Sequence, residues 1–154
     1  MMMILLIVIF LGIDIVSKLL ISKIFKVNES IVIIKDFFNI TYVRNTGAAW
    51  SILSGFRIGL VIVSLVIIGF IVYYVYKNKI SSMMEKIGYS MILGGALGNL
   101  LDRIFYGYVI DFLDFKIFGY NYPVFNLADT FIVIGVFMLI LFGRNGEETE
   151  VSCR

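Results

Sequence analysis

The stretch that most restricts this chain runs from Ile58 to Tyr76: IGLVIVSLVIIGFIVYYVY, with no charge anywhere in it. A helix crossing the hydrocarbon core needs about 20 mostly apolar residues. In water such a helix would have no polar face to turn outward. Three more stretches approach the same standard, at about 1–20, 87–105 and 123–142. Hydrophobic residues make up 60% of the 154, against about 45–50% in ordinary soluble domains, so the whole chain is composed for lipid. We expect an all-α membrane protein, a single integral-membrane domain over 1–154 with four transmembrane helices. The first span lacks a basic leader and a small-x-small cleavage site and continues through Asp14 and Lys18, so it reads as a retained helix.

Four spans put both termini on one side of the membrane. The linker KNKISSMMEK, with Lys77, Lys79 and Lys86, lies between the second and third spans and is expected in the cytoplasm with the termini. The loop at about 21–55 then lies outside, although it carries Lys23, Lys26, Lys35 and Arg44. Its stretch SIVIIKDFFNITYVRNTG is rich in Ile, Val, Phe, Tyr and Thr, which predicts short strands, a small extracytoplasmic β-cradle at the membrane surface. A net charge of +2 gives no reason to expect nucleic acid as a partner. The absence of histidine removes Ser-His and Cys-His catalysis and most metal chemistry, and no metal or cofactor is expected. The single cysteine, Cys153, sits in a polar tail and has no partner for an intrachain disulfide.

Against this apolar background the polar residues stand out, since an Asp or Arg at the centre of a span costs about 2.5–3.5 kcal/mol. Asp14 and Lys18 share a helix face at i,i+4 and read as a neutralising pair near the outer end of the first span, or as a brace for a site beside it. Asn99, Asp102 and Arg103 close the third span behind Gly94, Gly95, Ala96 and Gly98, small residues that let helices approach closely. Asp102 is placed to pair with Arg103 or with a neighbouring helix. Asp111 and its rival Asp114 follow the third span, and Pro123 is placed in the first turn of the fourth, ahead of Asn126 and Asp129. A short loop joins the two spans, so Asp111 and Asp129 converge near the outer interface. Two carboxyls about 3 Å apart share a proton, one serving as base and the other as acid, and can activate water toward a peptide carbonyl. Acids inside spans equally mark ion or proton paths, so a small proton- or ion-coupled transporter stands beside the protease reading.

Four blocks in order carry a resemblance: DIVSK in the first span, VRNTGAAWSIL after the strand-like loop, GGALGNLLDRIFYGYVIDF across the third span, and FNLADTFIVIG opening the fourth. With them the chain resembles lipoprotein signal peptidase (signal peptidase II), the bacterial intramembrane aspartic protease family. The resemblance implies an endopeptidase in the cell membrane that removes signal peptides from diacylglyceryl-modified prolipoproteins, cutting just before the lipidated cysteine. It implies inhibition by globomycin-type antibiotics, contact with membrane lipids, cytoplasmic termini and an active site near the outer face. It assigns the catalytic acids to Asp111 and Asp129 and demotes Asp114. Asn45, Gly47, Asn99, Arg103, Asn126 and Ala128 match as substrate-binding or dyad-supporting positions, with Asn45 and Arg103 suited to hold substrate carbonyls. Asp14, Lys18 and Asp102 read as structural polar residues. Trp50 stands where the family often has Phe. A Ser-Lys peptidase using Ser17 or Ser51 with Lys18 or Lys23 is the remaining enzymatic rival.

Overall fold

A computed structural model of the chain describes residues 1–48 and 52–143; Trp50, Ser51 and Cys153 lie outside the described residues. The described residues form four helices and a four-stranded sheet. In chain order these are α1 (Met2–Ile24), β1 (Ser30–Ile34), β2 (Phe38–Asn45), α2 (Arg57–Asn78), α3 (Met83–Phe105), β3 (Val109–Ile117), β4 (Tyr120–Asn121) and α4 (Leu127–Phe142). α1 and α2 are long and apolar enough to cross a membrane; α4 is apolar but shorter. Along α1 and α2, side chains such as Leu5, Val8, Ile62 and Phe70 face outward, which suits helices bathed in lipid.

α3 is the helix at the centre. It packs on α1, α2 and α4, and its residues Met91 to Gly95 and Gly98 to Leu100 are buried. Two glycines make the packing possible. A Cβ at Gly95 would run into the Ala128 carbonyl of α4, and one at Gly98 into the Asp14 carboxylate of α1. The small residues GGALG therefore bring three helices within touching distance at the level of their polar side chains.

The sheet is antiparallel in the order β1-β2-β3-β4, and here the sequence reading needs correcting. Strands were expected only in the loop at about 21–55; half the sheet comes from the segment after α3. The run VIDFLDFKI leaves the helix and pairs along β2, with Val43 opposite Asp111 and Asn45 opposite Val109. Pairing satisfies its backbone, which an apolar connection at a membrane surface must achieve somehow. Ile21 of α1, Tyr42 of β2 and Ile110 and Phe112 of β3 form a core that fixes the sheet to the helices.

Two placements along the helices also differ. α4 begins at Leu127, not at 123, because Phe125 is still extended: its carbonyl accepts from Phe112 and Leu113, and its N–H donates to Leu113. Pro123 thus precedes the helix rather than sitting in its first turn. α1 runs on to Ile24, so Asp14 lies nearer its middle than its end.

Candidate active site

Two chain segments deliver the two acids. Asp111 is the third residue of β3 and is 2% exposed. Asp129 is the third residue of α4, in a capping box: the Asn126 Oδ1 accepts from the Asp129 N–H at 3.0 Å, and the Asp129 carboxylate accepts from the Asn126 N–H at 3.3 Å. A carboxylate in the first turn also gains from the helix dipole. Because the cap commits Oδ1 of Asn126 to a backbone donor, its Nδ2 must face the other way. There it donates to Asp111 at 2.7 Å, to Asn99 at 3.1 Å and to the Ile110 carbonyl at 3.3 Å. One fully buried asparagine therefore starts a helix and holds an acid on the neighbouring strand.

Each acid has a second amide. Asn45, at the end of β2, donates to the other oxygen of Asp111 at 2.9 Å, and Asn99 donates to Asp129 at 2.7 Å. Burial pushes the Asp111 carboxyl up to about 7, the charge of Asp129 adds to the rise, and the amides of Asn45 and Asn126 oppose it. The carboxyl is thereby brought to where it holds or releases a proton near neutral pH.

Behind the acids lies a charged cluster. Lys18 Nζ meets Asp14 at 2.7 Å, Asp102 at 3.0 Å and the side-chain Oδ1 of Asn99 at 2.9 Å. Asp14 also accepts from the Ala128 N–H at 3.0 Å, and Asp102 accepts from the Ile110 N–H at 3.2 Å. Asp14 and Lys18 do pair, but the pair is wired into α3, α4 and β3 rather than neutralising itself in isolation. Asp102 takes the neighbouring-helix partner rather than Arg103. Arg103 donates to the carbonyls of Gly47 at 3.0 Å and Asn99 at 3.2 Å, while its buried Nε has no partner among the described residues. Asn45 spends its amide on Asp111 and on the Ala48 carbonyl at 3.2 Å, so it holds the acid, and its expected contact to substrate carbonyls has no free donor.

Asp111, Asp129, Asn45, Asn99 and Arg103 line one cavity of about 710 Å³. Most of its remaining wall is apolar, from residues such as Phe115, Ile117, Val124, Phe125, Ile132 and Val133, and this wall escaped the sequence reading. The alternation in VIDFLDFKI was the available clue, since it places Asp111, Leu113, Phe115 and Ile117 on one strand face. Asp114 points the other way and accepts from Thr41 at 2.7 Å. Of the Ser-Lys pairings, Ser17 with Lys18 is not assembled: the Ser17 hydroxyl donates to the Asp14 carbonyl at 2.7 Å and Lys18 contacts Asp14, Asp102 and Asn99, while Ser51 lies outside the described residues. Among the described residues no cluster of three or more His, Cys, Asp or Glu is arranged to hold a metal ion.

Comparison with known proteins matches this architecture. Residues 6–143 fit the family model described as signal peptidase (SPase) II. A lipoprotein signal peptidase of Halothermothrix orenii is 50% identical over 129 residues, covering 84% of this chain and 86% of that protein. One of Staphylococcus aureus is 41% identical over 143 residues, covering 90% and 88%. A solved structure described as a bacterial membrane enzyme, obtained by the in meso method at 2.3 Å resolution, superposes with a TM-score of 0.85 at 37% identity, covering 96% of this chain and 90% of its own. A second such structure, at 1.9 Å resolution, gives 0.84 at 38% identity. On these matches the chain belongs to the signal peptidase II family, the lipoprotein signal peptidases.

Proposed function

We propose that the chain is an intramembrane aspartic endopeptidase acting on diacylglyceryl-modified prolipoproteins, with Asp111 and Asp129 as its catalytic acids. The observation that carries this reading is the pair of carboxyls on one cavity, each held by two amides or N–H groups, with Asp111 raised to about 7. The pair shares one proton, and the cycle is written with that proton starting on Asp111. The Asp129 carboxylate takes a proton from water as its oxygen adds to the scissile carbonyl carbon. The carbonyl oxygen receives the proton from Asp111, giving a gem-diol. Collapse breaks the C–N bond, the departing nitrogen takes its proton from Asp129, and a hydroxyl proton returns to Asp111. Arg103, which lines the cavity, is a donor for a substrate carbonyl.

Depth supports the substrate assignment. In this reading all four helices cross the cell membrane, both termini are cytoplasmic and the cradle lies outside. α4 has 16 residues, about 24 Å at 1.5 Å per residue, against about 30 Å of hydrocarbon. Its N-terminus, with Asp129, then stops roughly 6 Å below the outer boundary. A signal helix reaches that level by lateral diffusion, and a diacylglyceryl group on the cysteine after the bond holds it there, since each buried CH₂ contributes about 0.8 kcal/mol. The apolar wall suits the signal helix and acyl chains. The test compares lipidated and unlipidated precursor at equal concentration in one detergent, with and without globomycin. Cleavage of the lipidated form alone, blocked by globomycin, is expected; equal rates for both would remove the lipid from the account.

A further inference from the structure

We propose that Lys18 is a positioning residue of the dyad, acting through Asn99 to fix the side of Asp129 that receives a donor. The inference rests on Asp129 being a catalytic acid. An ammonium only donates. The Asn99 atom 2.9 Å from Lys18 Nζ must therefore be its carbonyl oxygen, which also accepts from Asn126 at 3.1 Å. That leaves the Asn99 amide nitrogen pointing at Asp129, 2.7 Å away. Without Lys18 the oxygen loses its charged donor, and the flipped amide would set oxygen against carboxylate.

Lys18 Nζ has three oxygens within 3.0 Å, on Asp14, Asp102 and Asn99. The two carboxylates among these acceptors already outweigh the single positive charge. The third is an uncharged amide whose other end touches an acid, and Lys18 is not among the residues that line the cavity. Lys18 is 2% exposed, so its charge is held away from water. A neutral residue of the same length would fill its space equally well. What it would lack is the counter-charge of Asp14 and Asp102 and a donor that selects one orientation of Asn99.

The test is a double-mutant cycle in kcat, using Lys18→Met and Asn99→Ala on purified protein with a lipidated precursor. Misplacing a catalytic group costs on the order of 10²-fold, so Lys18→Met in the wild-type background should lower kcat by roughly 10- to 100-fold with KM changed less than about twofold. In the Asn99→Ala background the same substitution should lower kcat less than about threefold. Equal fold losses in both backgrounds would overturn the inference, as would a rise in KM at unchanged kcat. If Lys18→Met unfolds at a lower temperature, the cycle is repeated with Asp14→Asn added to it, which removes both charges of the pair together. Asp111→Asn in the same assay separates the two readings. Wild-type turnover by Asp111→Asn would sink the dyad itself, whereas an inactive Asp111→Asn beside an additive cycle would sink only the role of Lys18.

Discussion

Replacing Asn126 by alanine should reduce both stability and turnover, and the two losses can be separated. The side chain caps α4 through the Asp129 N–H and donates to Asp111 at 2.7 Å, with no exposure to solvent. Loss of an asparagine cap costs about 1 kcal/mol. Loss of a hydrogen bond to a charged or shared-proton carboxyl costs about 1.5–3 kcal/mol. Together the change should destabilise the fold by roughly 3 kcal/mol. The second contribution acts on the acid that must be aligned in the transition state, and about 2.7 kcal/mol there is a hundredfold in rate. Serine caps a helix about as well as asparagine but has no amide to reach Asp111. Asn126→Ser should therefore recover about 1 kcal/mol of stability relative to Asn126→Ala while remaining far less active than wild type. Thermal unfolding in detergent measures the first quantity, and initial rates on a lipidated precursor measure the second. Full activity in Asn126→Ser, or turnover within threefold of wild type in Asn126→Ala, would refute the claim that one side chain serves both purposes.

Two further outcomes follow from the site. With Asp111 raised to about 7, its protonated form is lost above that pH, so kcat/KM should fall on the alkaline side with an apparent midpoint near 7. Because the folded pKa lies above the unfolded one, the stability this group contributes is present at low pH and is lost as pH rises from about 4 through 7, so Asp111→Asn should flatten that part of the stability profile; an unchanged profile would contradict it. Arg103→Ala should lower activity far more than Lys79→Ala, because Arg103 ties the Gly47 carbonyl to the cavity wall while Lys79 is exposed; equal effects would remove Arg103 from the site.

The bundle was legible because charge-free runs such as Ile58–Tyr76 admit few alternatives, and the acids because a carboxylate among them needs a reason. The sheet was half legible. Ser30–Asn45 carries strand-forming residues within a polar loop, whereas Val109–Ile117 follows a helix directly and is marked only by a short alternation around two aspartates. Its pairing is set by β2, about 65 residues earlier in the chain, and no local pattern carries that information. The start of α4 was misread for a similar reason. Pro123 suits a first helical turn in isolation, but the Phe125 carbonyl is taken by β3, and Asn126 becomes the cap. Lys18 was visible as half of an i,i+4 pair. That it reaches Asp102 and Asn99 on another helix depends on Gly98, whose missing side chain lets α1 and α3 close on each other.

The most direct measurement is single-turnover cleavage of a diacylglyceryl-modified precursor by Asp111→Asn and Asp129→Asn, with Asp114→Asn as the reference. Each amide is isosteric with the acid it replaces and removes one partner in the shared proton. Asp114 accepts from Thr41 on the far side of β3, away from the cavity. Both dyad variants should insert and purify like wild type and yield no product, while Asp114→Asn keeps substantial activity. Wild-type-like turnover by either Asp111→Asn or Asp129→Asn would contradict the account.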